Sequence, residues 1–234
     1  MNLIDNYKIK MRNKKILFLS LSVAAIFCMS LFACKKNESP YHNYVNTIKK
    51  FDGTALQYLQ SQKDTYDSLL LVLNLLPGLK DSINNQQITL FAVTNPSFQV
   101  AVKNLNIARQ DQHKAPLYLS NMDTEQLDTL MCRYIIRNIS VTDDYKPFAD
   151  GLLINSIKYN YPMHVQYKKL NASGFVEGGP QSLIYSDPKN SIFQKYWENA
   201  TTDAVNIKTK NATINILSSS HDFGFNEFVK RINN

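Results

Sequence analysis

The sequence has little cysteine, glycine or proline: 3, 7 and 8 residues among 234. Cys28 and Cys34 lie close to the N-terminus, so Cys132 is the single cysteine of the remaining chain, and an intrachain disulfide there is excluded. The apolar neighbours of Cys132 predict a small buried side chain rather than a nucleophile. No stretch rich in Pro, Gly and Ser, no repeat and no low-complexity tract interrupts Tyr41–Asn234. The chain beyond the N-terminal segment is therefore predicted to be one domain.

Signals for catalysis are also scarce. The four histidines are scattered without metal-ligand spacing, and neither a Gly-x-Ser-x-Gly elbow nor a phosphate-binding glycine loop occurs. The carboxylates of Thr142–Tyr145 and Ser186–Pro188 lack the Gly and terminal Glu of a calcium loop, so we predict solvated turns there. We therefore expect no enzyme activity, no cofactor and no metal. The histidines are His42, His113, His164 and His221.

The net charge of +7 lies largely at the N-terminus. Five of the 26 basic residues and one of the 19 acidic residues precede position 34, which leaves 21 basic and 18 acidic residues beyond it. That balance is too even for a surface that follows a phosphate backbone. We therefore expect no nucleic-acid partner.

The N-terminal segment predicts export rather than structure. Basic residues end at Lys15 and precede Ile16–Phe27, an apolar run of the length of a secretory h-region and too short to span a bilayer comfortably. Met11 is a possible true start. Leu31, Ala33 and Cys34 resemble the lipobox of bacterial lipoproteins, which implies a signal peptide over residues 1–33 and lipid on Cys34. The alternative is an ordinary secretory signal followed by a chance cysteine.

The residues after Cys34 bear on localisation. Lys35 stands where an Asp would favour inner-membrane retention in the Gram-negative sorting pattern, so we expect an outer-membrane lipid anchor. The membrane face, periplasmic or extracellular, stays open. Residues 34–43 are short and polar and include Pro40, which predicts a tether that holds the domain of residues 44–234 away from the bilayer.

Hydrophobic periodicity in the first half predicts mostly helices. Leucines at mixed three-four spacing in Thr65–Leu79 indicate a helix that Pro77 and Gly78 end. The continuous apolar run Ile88–Val93 indicates a short buried strand. Asn95 is then predicted to cap a helix whose first position is Pro96.

The second half changes to a two-residue rhythm. Leu152–Asn160, Met163–Lys169 and Ser182–Ser186 predict strands separated by turns, and Ser191–Ala200 predicts a short helix. Ala204–Leu217 predicts two strands around a turn at Lys210 and Asn211. Helices first and antiparallel strands later indicate an α+β fold, with the helix-rich half packed on antiparallel β-sheets or a β-sandwich.

Two segments resemble the signature boxes of the fasciclin-domain family. Thr89–Phe98, TLFAVTNPSF, is similar to the first box, usually of the type Thr-Phe-Ala-Pro-Thr-Asn-x-Ala-Phe. Asn206–Leu217, NIKTKNATINIL, is similar to the second box, and Ser218–Phe225 is similar to bacterial members. Leu130–Ile136 takes the place of the segment that contains Tyr-His in the family. The resemblance implies one fasciclin-like domain and a role in adhesion or binding at a cell surface.

The sequence departs from the family at several positions. Asn215 replaces the histidine of the second box, and Arg133-Tyr134 replaces Tyr-His. In animal members the middle segment is tied to integrin-type adhesion, so that partner is not expected here. A buried Asn can hydrogen-bond the neighbours of the box histidine, so we expect the fold to persist. Thr94 and Asn95 are expected to hydrogen-bond the scaffold rather than a ligand.

These observations leave three classes of function. The first is a membrane-anchored binding or adhesion module without catalysis, for a protein or glycan partner. The second is a structural accessory lipoprotein subunit of an outer-membrane nutrient-uptake complex, and the third is a tethered enzyme. Lys158–Lys169 contains three tyrosines and three lysines, and we predict Tyr159, Tyr161 and Tyr167 as ligand-binding residues on one strand face.

Overall fold

A computed structural model describes residues 49–172 and 176–233. The predicted signal segment, Cys34 and the tether lie outside the described residues. The helices are α1 (Ala55–Ser61), α2 (Asp67–Leu75), α3 (Pro77–Asn85), α4 (Asn95–Asp111), α5 (Thr124–Met131), α6 (Thr142–Tyr145) and α7 (Phe228–Ile232). The strands are β1 (Ile88–Ala92), β2 (Ile135–Arg137), β3 (Leu152–Asn155), β4 (Pro162–Lys169), β5 (Gln181–Asp187), β6 (Glu198–Lys208) and β7 (Ala212–Leu217).

The strands form one seven-stranded mixed sheet in the order β2-β1-β7-β6-β5-β4-β3. The α+β class is confirmed. The prediction of antiparallel sheets or a sandwich is wrong at one pairing, because β1 lies parallel to β7 while its other neighbour β2 is antiparallel. β1 and β2 also come from the stretch of chain that carries most helices, so helices and strands are not divided between the two halves. The parallel pair arises because β1 and β7 are joined through the whole intervening chain rather than through a hairpin.

The sheet curls until its two edges meet. β6 has irregular register between Thr202 and Ile207, and it pairs with β5 through its first half and with β7 through its second half. Such irregularities bend a strand and increase its twist. At the far edges, Ile136 forms an isolated bridge with Ser156, and the Ile157 N–H donates to the Ile135 carbonyl over 2.8 Å. The result is a sheet close to a closed barrel, which leaves little free strand edge.

The position of β1 between β2 and β7 explains the continuous apolar run of the first box. All five residues of β1 are buried, because neighbouring strands flank it on both sides and both of its faces are covered. Phe91 stacks on Tyr185 of β5 with ring centroids 3.7 Å apart. Cys132 is buried without a disulfide partner, as predicted. None of the helices in the described part of the chain is long and apolar enough to cross a membrane.

The predicted end of the helix within Thr65–Leu79 is confirmed, because α2 ends at Leu75, just before Pro77. Pro77 is also the first residue of α3, a position where its missing N–H costs nothing. The cap of the helix after β1 differs from the prediction. α4 begins at Asn95, and its N-cap is Thr94, which makes no side-chain cap hydrogen bond. Asn95 instead accepts a hydrogen bond from the Ser68 N–H (2.9 Å) and donates to Asp67 Oδ2 (3.0 Å). Asn95 therefore caps the neighbouring helix α2 rather than its own.

The second box also serves the scaffold. Asn211, in the β6–β7 turn, accepts from the Ala55 N–H at the start of α1 and donates to the carbonyls of Ile83 and Gln86, each over 2.9 Å. Asn215 is buried in β7, and its Oδ1 accepts from the Asn206 N–H over 3.1 Å. The turn thus holds helices α1 and α3 against the sheet, and Asn215 satisfies a backbone donor inside it.

Candidate binding pocket on the outer face of the sheet

A buried ionic cluster lies beneath the end of β5. Arg133 donates to Asp187 Oδ2 over 2.6 Å and to Glu227 Oε2 over 2.8 Å, and neither the Arg133 nor the Asp187 side chain is exposed. The Tyr161 hydroxyl donates to Asp187 Oδ1 over 2.8 Å, and the Arg133 guanidinium lies 4.3 Å from the centre of the Tyr161 ring. Charges buried together in this way bind chain segments to one another and are closed to a ligand.

This cluster corrects the prediction for Asp187. A solvated turn was predicted, but the carboxylate is fully buried, because Arg133 neutralises it and the Lys189 N–H also donates to it over 2.8 Å. The hydrogen bonds of Arg231 and Arg133 outweigh burial and lower the pKa of Glu227. The cluster therefore joins the start of β2, the end of β5 and the beginning of α7.

The structure does not place the three predicted tyrosines on one strand face. Tyr159 is 53% exposed in a turn, with φ of 59°, and its hydroxyl donates to Asp128. Tyr161 precedes β4 and is half-buried in the ionic cluster. Only Tyr167 lies within β4, half-buried, with the Lys146 amine 5.5 Å from its ring centre. The three side chains therefore have separate surroundings, and ligand binding by them stays a prediction.

The opposite face of β4 contributes to a pocket of about 150 Å³, which we name the Trp197 pocket. Cross-strand pairing brings His164, Ser186 and Asn199 into one row across β4, β5 and β6, with Gln166 and Ile184 in the next row. Residues that are direct partners across a sheet share a face. The pocket is lined by His164, Gln166, Ile184, Ser186, Gln194, Trp197 and Asn199.

Residues 189–197, which we name the aromatic loop, cover one side of this pocket. A short helix was predicted here, but only a single 3₁₀ turn forms at Gln194–Tyr196 before β6 begins at Glu198. The Trp197 indole N–H donates to the Ser191 carbonyl over 2.8 Å, and the Lys189 amine lies 3.2 Å from Glu198. The loop is therefore held at its base, and the indole is held in place over the sheet.

His164 is a buried polar side chain in the lining of the pocket. It is only 6% exposed, and its ring centroid lies 4.7 Å from that of Trp197. Nε2 lies 2.8 Å from the Asp150 carbonyl, which can only accept, so Nε2 carries the proton and Nδ1 is an acceptor. Nδ1 is buried and has no hydrogen-bond partner among the described residues. Gly151, at φ +84°, permits this approach, since a Cβ there would lie 2.3 Å from His164 Cε1.

The pocket is electrically neutral. Burial lowers the pKa of His164, which the hydrogen bond to the Asp150 carbonyl opposes only in part, so the imidazole is uncharged at neutral pH. Its other polar lining groups are amides and a hydroxyl. Gln166 Nε2 donates to the Ala149 carbonyl over 2.8 Å, which fixes the orientation of that amide. The pocket thus combines one aromatic ring with uncharged donors and acceptors.

Exposed apolar side chains lie beside this pocket. In the aromatic loop, Ile192 is 85% exposed, Phe193 59% and Tyr196 57%. Phe193 and Tyr196 contact each other edge to face, with centroids 6.3 Å apart. Large exposed aromatic side chains grouped on one loop are typical of a contact surface for a partner.

A second concave region lies on the helical side of the fold. A groove of about 430 Å³ runs between α2, α4 and the 3₁₀ turn Leu119–Asn121. Leu71, Phe98, Val102 and Tyr118 give it an apolar lining, and Lys103 lines it too. The groove lacks the buried polar acceptor that distinguishes the Trp197 pocket.

Cys132 and His221, two side chains of types that act in catalysis, are buried in the fold. Within residues 49–172 and 176–233, no group of three or more His, Cys, Asp or Glu side chains is arranged to hold a metal ion. Desolvation raises the pKa of the buried Cys132 thiol to about 11, so it is protonated at neutral pH and a poor nucleophile. His221 is buried against the Tyr134 hydroxyl, 2.8 Å from its Nε2.

Reasoning from the sequence missed the Trp197 pocket. Met163–Lys169 was predicted as a strand, and alternate residues of a strand face opposite ways, so His164 and Gln166 could have been assigned a shared face. The single tryptophan of the chain, beside Ile192, Phe193 and Tyr196, was a second signal. The predicted helix at Ser191–Ala200 hid it, because it explained these side chains as one side of a short helix.

A likeness to known proteins is found at the level of structure. No protein-family model matches the chain, and no curated protein matches it. The chain is similar to a solved structure of a FAS1 domain pair from the insect cell adhesion molecule fasciclin I, with 13% identity and a TM-score of 0.45. The match covers 74% of this chain and 46% of that chain, so this chain matches less than half of that protein's length.

Proposed function

We propose that this protein is a membrane-anchored binding module without catalytic activity, and that its ligand-binding surface is the Trp197 pocket together with the aromatic loop. The lipid anchor would be attached at Cys34 and would hold the domain at the outer membrane. The resemblance of Thr89–Phe98 and Asn206–Leu217 to fasciclin boxes supports a role in adhesion. The observation that carries the proposal is the pocket itself, which places a fixed indole and a buried unpaired acceptor beside exposed aromatic side chains.

Binding without catalysis agrees with the chemistry of the pocket. Acid–base or nucleophilic catalysis needs a nucleophile next to a base, or two titratable groups with different roles. His164 is the one titratable side chain among the pocket's lining residues, and one of its nitrogens is committed to the Asp150 carbonyl. A ring, amides and a hydroxyl can orient a ligand without activating it.

A second candidate is an accessory subunit of an outer-membrane nutrient-uptake complex. The apolar groove between α2 and α4 favours it, because an exposed apolar concavity suits docking on a protein such as a transporter. Lys103 at the groove would pair with an acidic side chain of that transporter. The two candidates therefore use opposite sides of the fold.

A matched pair of tyrosines distinguishes the candidates. Tyr196 in the aromatic loop is 57% exposed, and Tyr118 in the groove is 58% exposed, so Tyr→Ala removes a comparable surface from each. The full chain and both variants are applied in solution to a glycan array. In a second assay they are immobilised and exposed to detergent-solubilised outer membranes. We expect Tyr196→Ala to lose at least about tenfold in retained ligand, as for a hot-spot residue, and Tyr118→Ala to match the wild type.

The opposite pattern supports the accessory-subunit candidate and overturns the proposed binding surface. If neither variant changes the captured material, the surface lies elsewhere. Turnover of a captured glycan or peptide by the wild-type chain would contradict the absence of catalysis.

A further inference from the structure

We propose that the Trp197 pocket binds one uncharged sugar ring of an oligosaccharide, stacked on the Trp197 indole. This inference rests on the proposed function and deepens it by naming the ligand class. A pyranose ring has an apolar C–H face and a rim of hydroxyls. The pocket offers an aromatic ring for the C–H face and uncharged polar groups for the hydroxyls.

The absence of charge in the pocket selects a neutral ligand. Its lining side chains are two glutamines, an asparagine, a serine, an isoleucine, a tryptophan and a neutral histidine. A carboxylate or ammonium group entering the pocket would lose hydration without gaining an ion pair, which is costly. Hydroxyl groups can both donate to and accept from such a lining.

The indole presents its ring rather than its N–H group. Because Trp197 Nε1–H donates to the Ser191 carbonyl over 2.8 Å, the donor is already used. The indole is half-buried, so part of its surface still meets solvent. The electron-rich face of an aromatic ring attracts the weakly positive C–H hydrogens of an apolar ring face, and contact removes apolar surface from water.

Two acceptors on β4 suit hydroxyl donors. Nδ1 of His164 is buried and has no hydrogen-bond partner within the described part of the chain. Leaving the hydrogen bond of a buried acceptor unmade costs free energy. Gln166 uses its Nε2 on the Ala149 carbonyl, so its oxygen is the atom left to accept from a ligand. Residues two apart on a strand are about 6.6 Å apart, a spacing that the rim hydroxyls of one ring can span.

The size of the pocket indicates a single ring. Its volume of about 150 Å³ is below the roughly 300–1,000 Å³ of pockets that enclose drug-sized ligands, so it suits one ring rather than a longer chain. A longer chain would continue outside, where Phe193 and Tyr196 of the aromatic loop are exposed and can contact the neighbouring units.

The single tryptophan of the chain gives a direct readout, since its fluorescence reports on this pocket alone. The probes are neutral trisaccharides of glucose, mannose, galactose and N-acetylglucosamine, with trigalacturonate as the anionic counterpart of galactotriose. The full chain is titrated with each probe in detergent. We expect a saturable change in Trp197 emission with at least one neutral probe, and none with trigalacturonate at the same concentrations.

Gln166→Leu tests the acceptor with little change in volume, and Gln110→Leu on the exposed surface of α4 is the matched control. We expect Gln166→Leu to weaken the neutral probe at least about tenfold, the usual scale for a lost buried hydrogen bond, and Gln110→Leu to leave it unchanged. Equal loss in both variants, or no loss in Gln166→Leu, overturns the pocket assignment.

The outcomes also separate this inference from the proposed function. If no neutral trisaccharide changes the emission, and the chain still captures a partner in a manner that depends on Tyr196, the sugar assignment fails and the binding module stands. If no probe binds and no partner is captured, both fail. Tighter binding of trigalacturonate than of galactotriose overturns the claim of a neutral ligand.

Discussion

Arg133 remains charged although no part of its side chain meets solvent. Burial alone lowers the pKa of the guanidinium, but Asp187 and Glu227 more than compensate, and the net pKa is raised. The ring of Tyr161 adds a further favourable contact with the cation. Removing one member would leave an uncompensated buried charge, whereas replacing the whole group with apolar side chains would remove that cost. This residue therefore serves the fold.

His221 makes stability depend on pH. Burial lowers its pKa to about 4, against an unfolded value near 6.5, so the unfolded chain takes up the proton first as the pH falls. Stability is then full above pH 6.5 and decreases from pH 6.5 to pH 4, by up to about 3 kcal/mol in total. Urea unfolding at pH 7.0, 5.5 and 4.5 measures this decline. The lowered pKa of His164 contributes in the same direction.

His221→Gln is the matched variant, because its amide oxygen can still accept from the Tyr134 hydroxyl but does not titrate. We expect a shallower decline for this variant than for the wild type over the same pH range. An identical slope in both proteins would show that His221 is not the group responsible.

At the scale of elements, alternate residues of β4 face opposite sides of the sheet. One set faces the core and the other faces the Trp197 pocket. Met163 and Val165 are buried in the core, and Tyr167 packs against the core at the same parity. His164 and Gln166 lie on the other face and line the Trp197 pocket. Regular antiparallel pairing of β5 with β6 brings Asn199 beside Ser186, so the pocket depends on sheet register. A slip of one residue in β4 would exchange the two faces.

The hydrogen bonds that Asn95 makes between α4 and α2 predict that substitution of Asn95 lowers the stability of the fold. Asn95→Ala removes the hydrogen bonds to Ser68, Asp64 and Asp67, and we expect a loss of about 1–2 kcal/mol in the free energy of unfolding. Saccharide or partner binding per folded molecule is expected to be unchanged. Chemical denaturation and the binding titration measure the two quantities.

Asn95→Asp gives the sharper comparison. If Asn95 capped its own helix, Asp would serve nearly as well. In the observed arrangement, Asp would place a second carboxylate where Asn95 Nδ2 lies 3.0 Å from Asp67 Oδ2, so we expect a loss at neutral pH comparable to that of Asn95→Ala. Wild-type stability in Asn95→Asp would contradict the cross-helix role.

At the scale of the whole molecule, the fold presents two separate concave surfaces. The curled sheet presents the Trp197 pocket on one outer face, and the helices present the apolar groove elsewhere. The near meeting of β2 and β3 removes free edges that could pair with other chains. Binding is therefore expected to use side chains rather than strand addition.

Anchoring is predicted to depend on Cys34. We expect Cys34→Ser to move the protein from the membrane fraction to the soluble fraction, because lipid chains supply membrane affinity of roughly 0.8 kcal/mol per buried methylene. Fractionation after detergent-free carbonate washing measures the distribution, and Cys28→Ser is the control that should stay anchored. Retention of Cys34→Ser in the washed membrane would contradict the lipid anchor.

The sequence by itself determined features that depend on neighbouring residues. The run Ile88–Val93 identified β1 because a strand covered on both faces is apolar throughout. The alternation in Met163–Lys169 and the turn at Asn211 likewise located β4 and the β6–β7 hairpin. Local periodicity and turn chemistry were sufficient for these elements and for the α+β class.

Only the tertiary structure decided the ionic cluster and the binding pocket. Arg133 lies 54 residues from Asp187 and 94 from Glu227, and no local pattern links residues so far apart. The same applies to the Trp197 pocket, whose lining comes from three strands and a loop. Asn95 was predicted as a scaffold residue, but its partner helix was not. Strand register and helix packing bring these groups together, because the free energy of burying the core selects the arrangement of the whole chain.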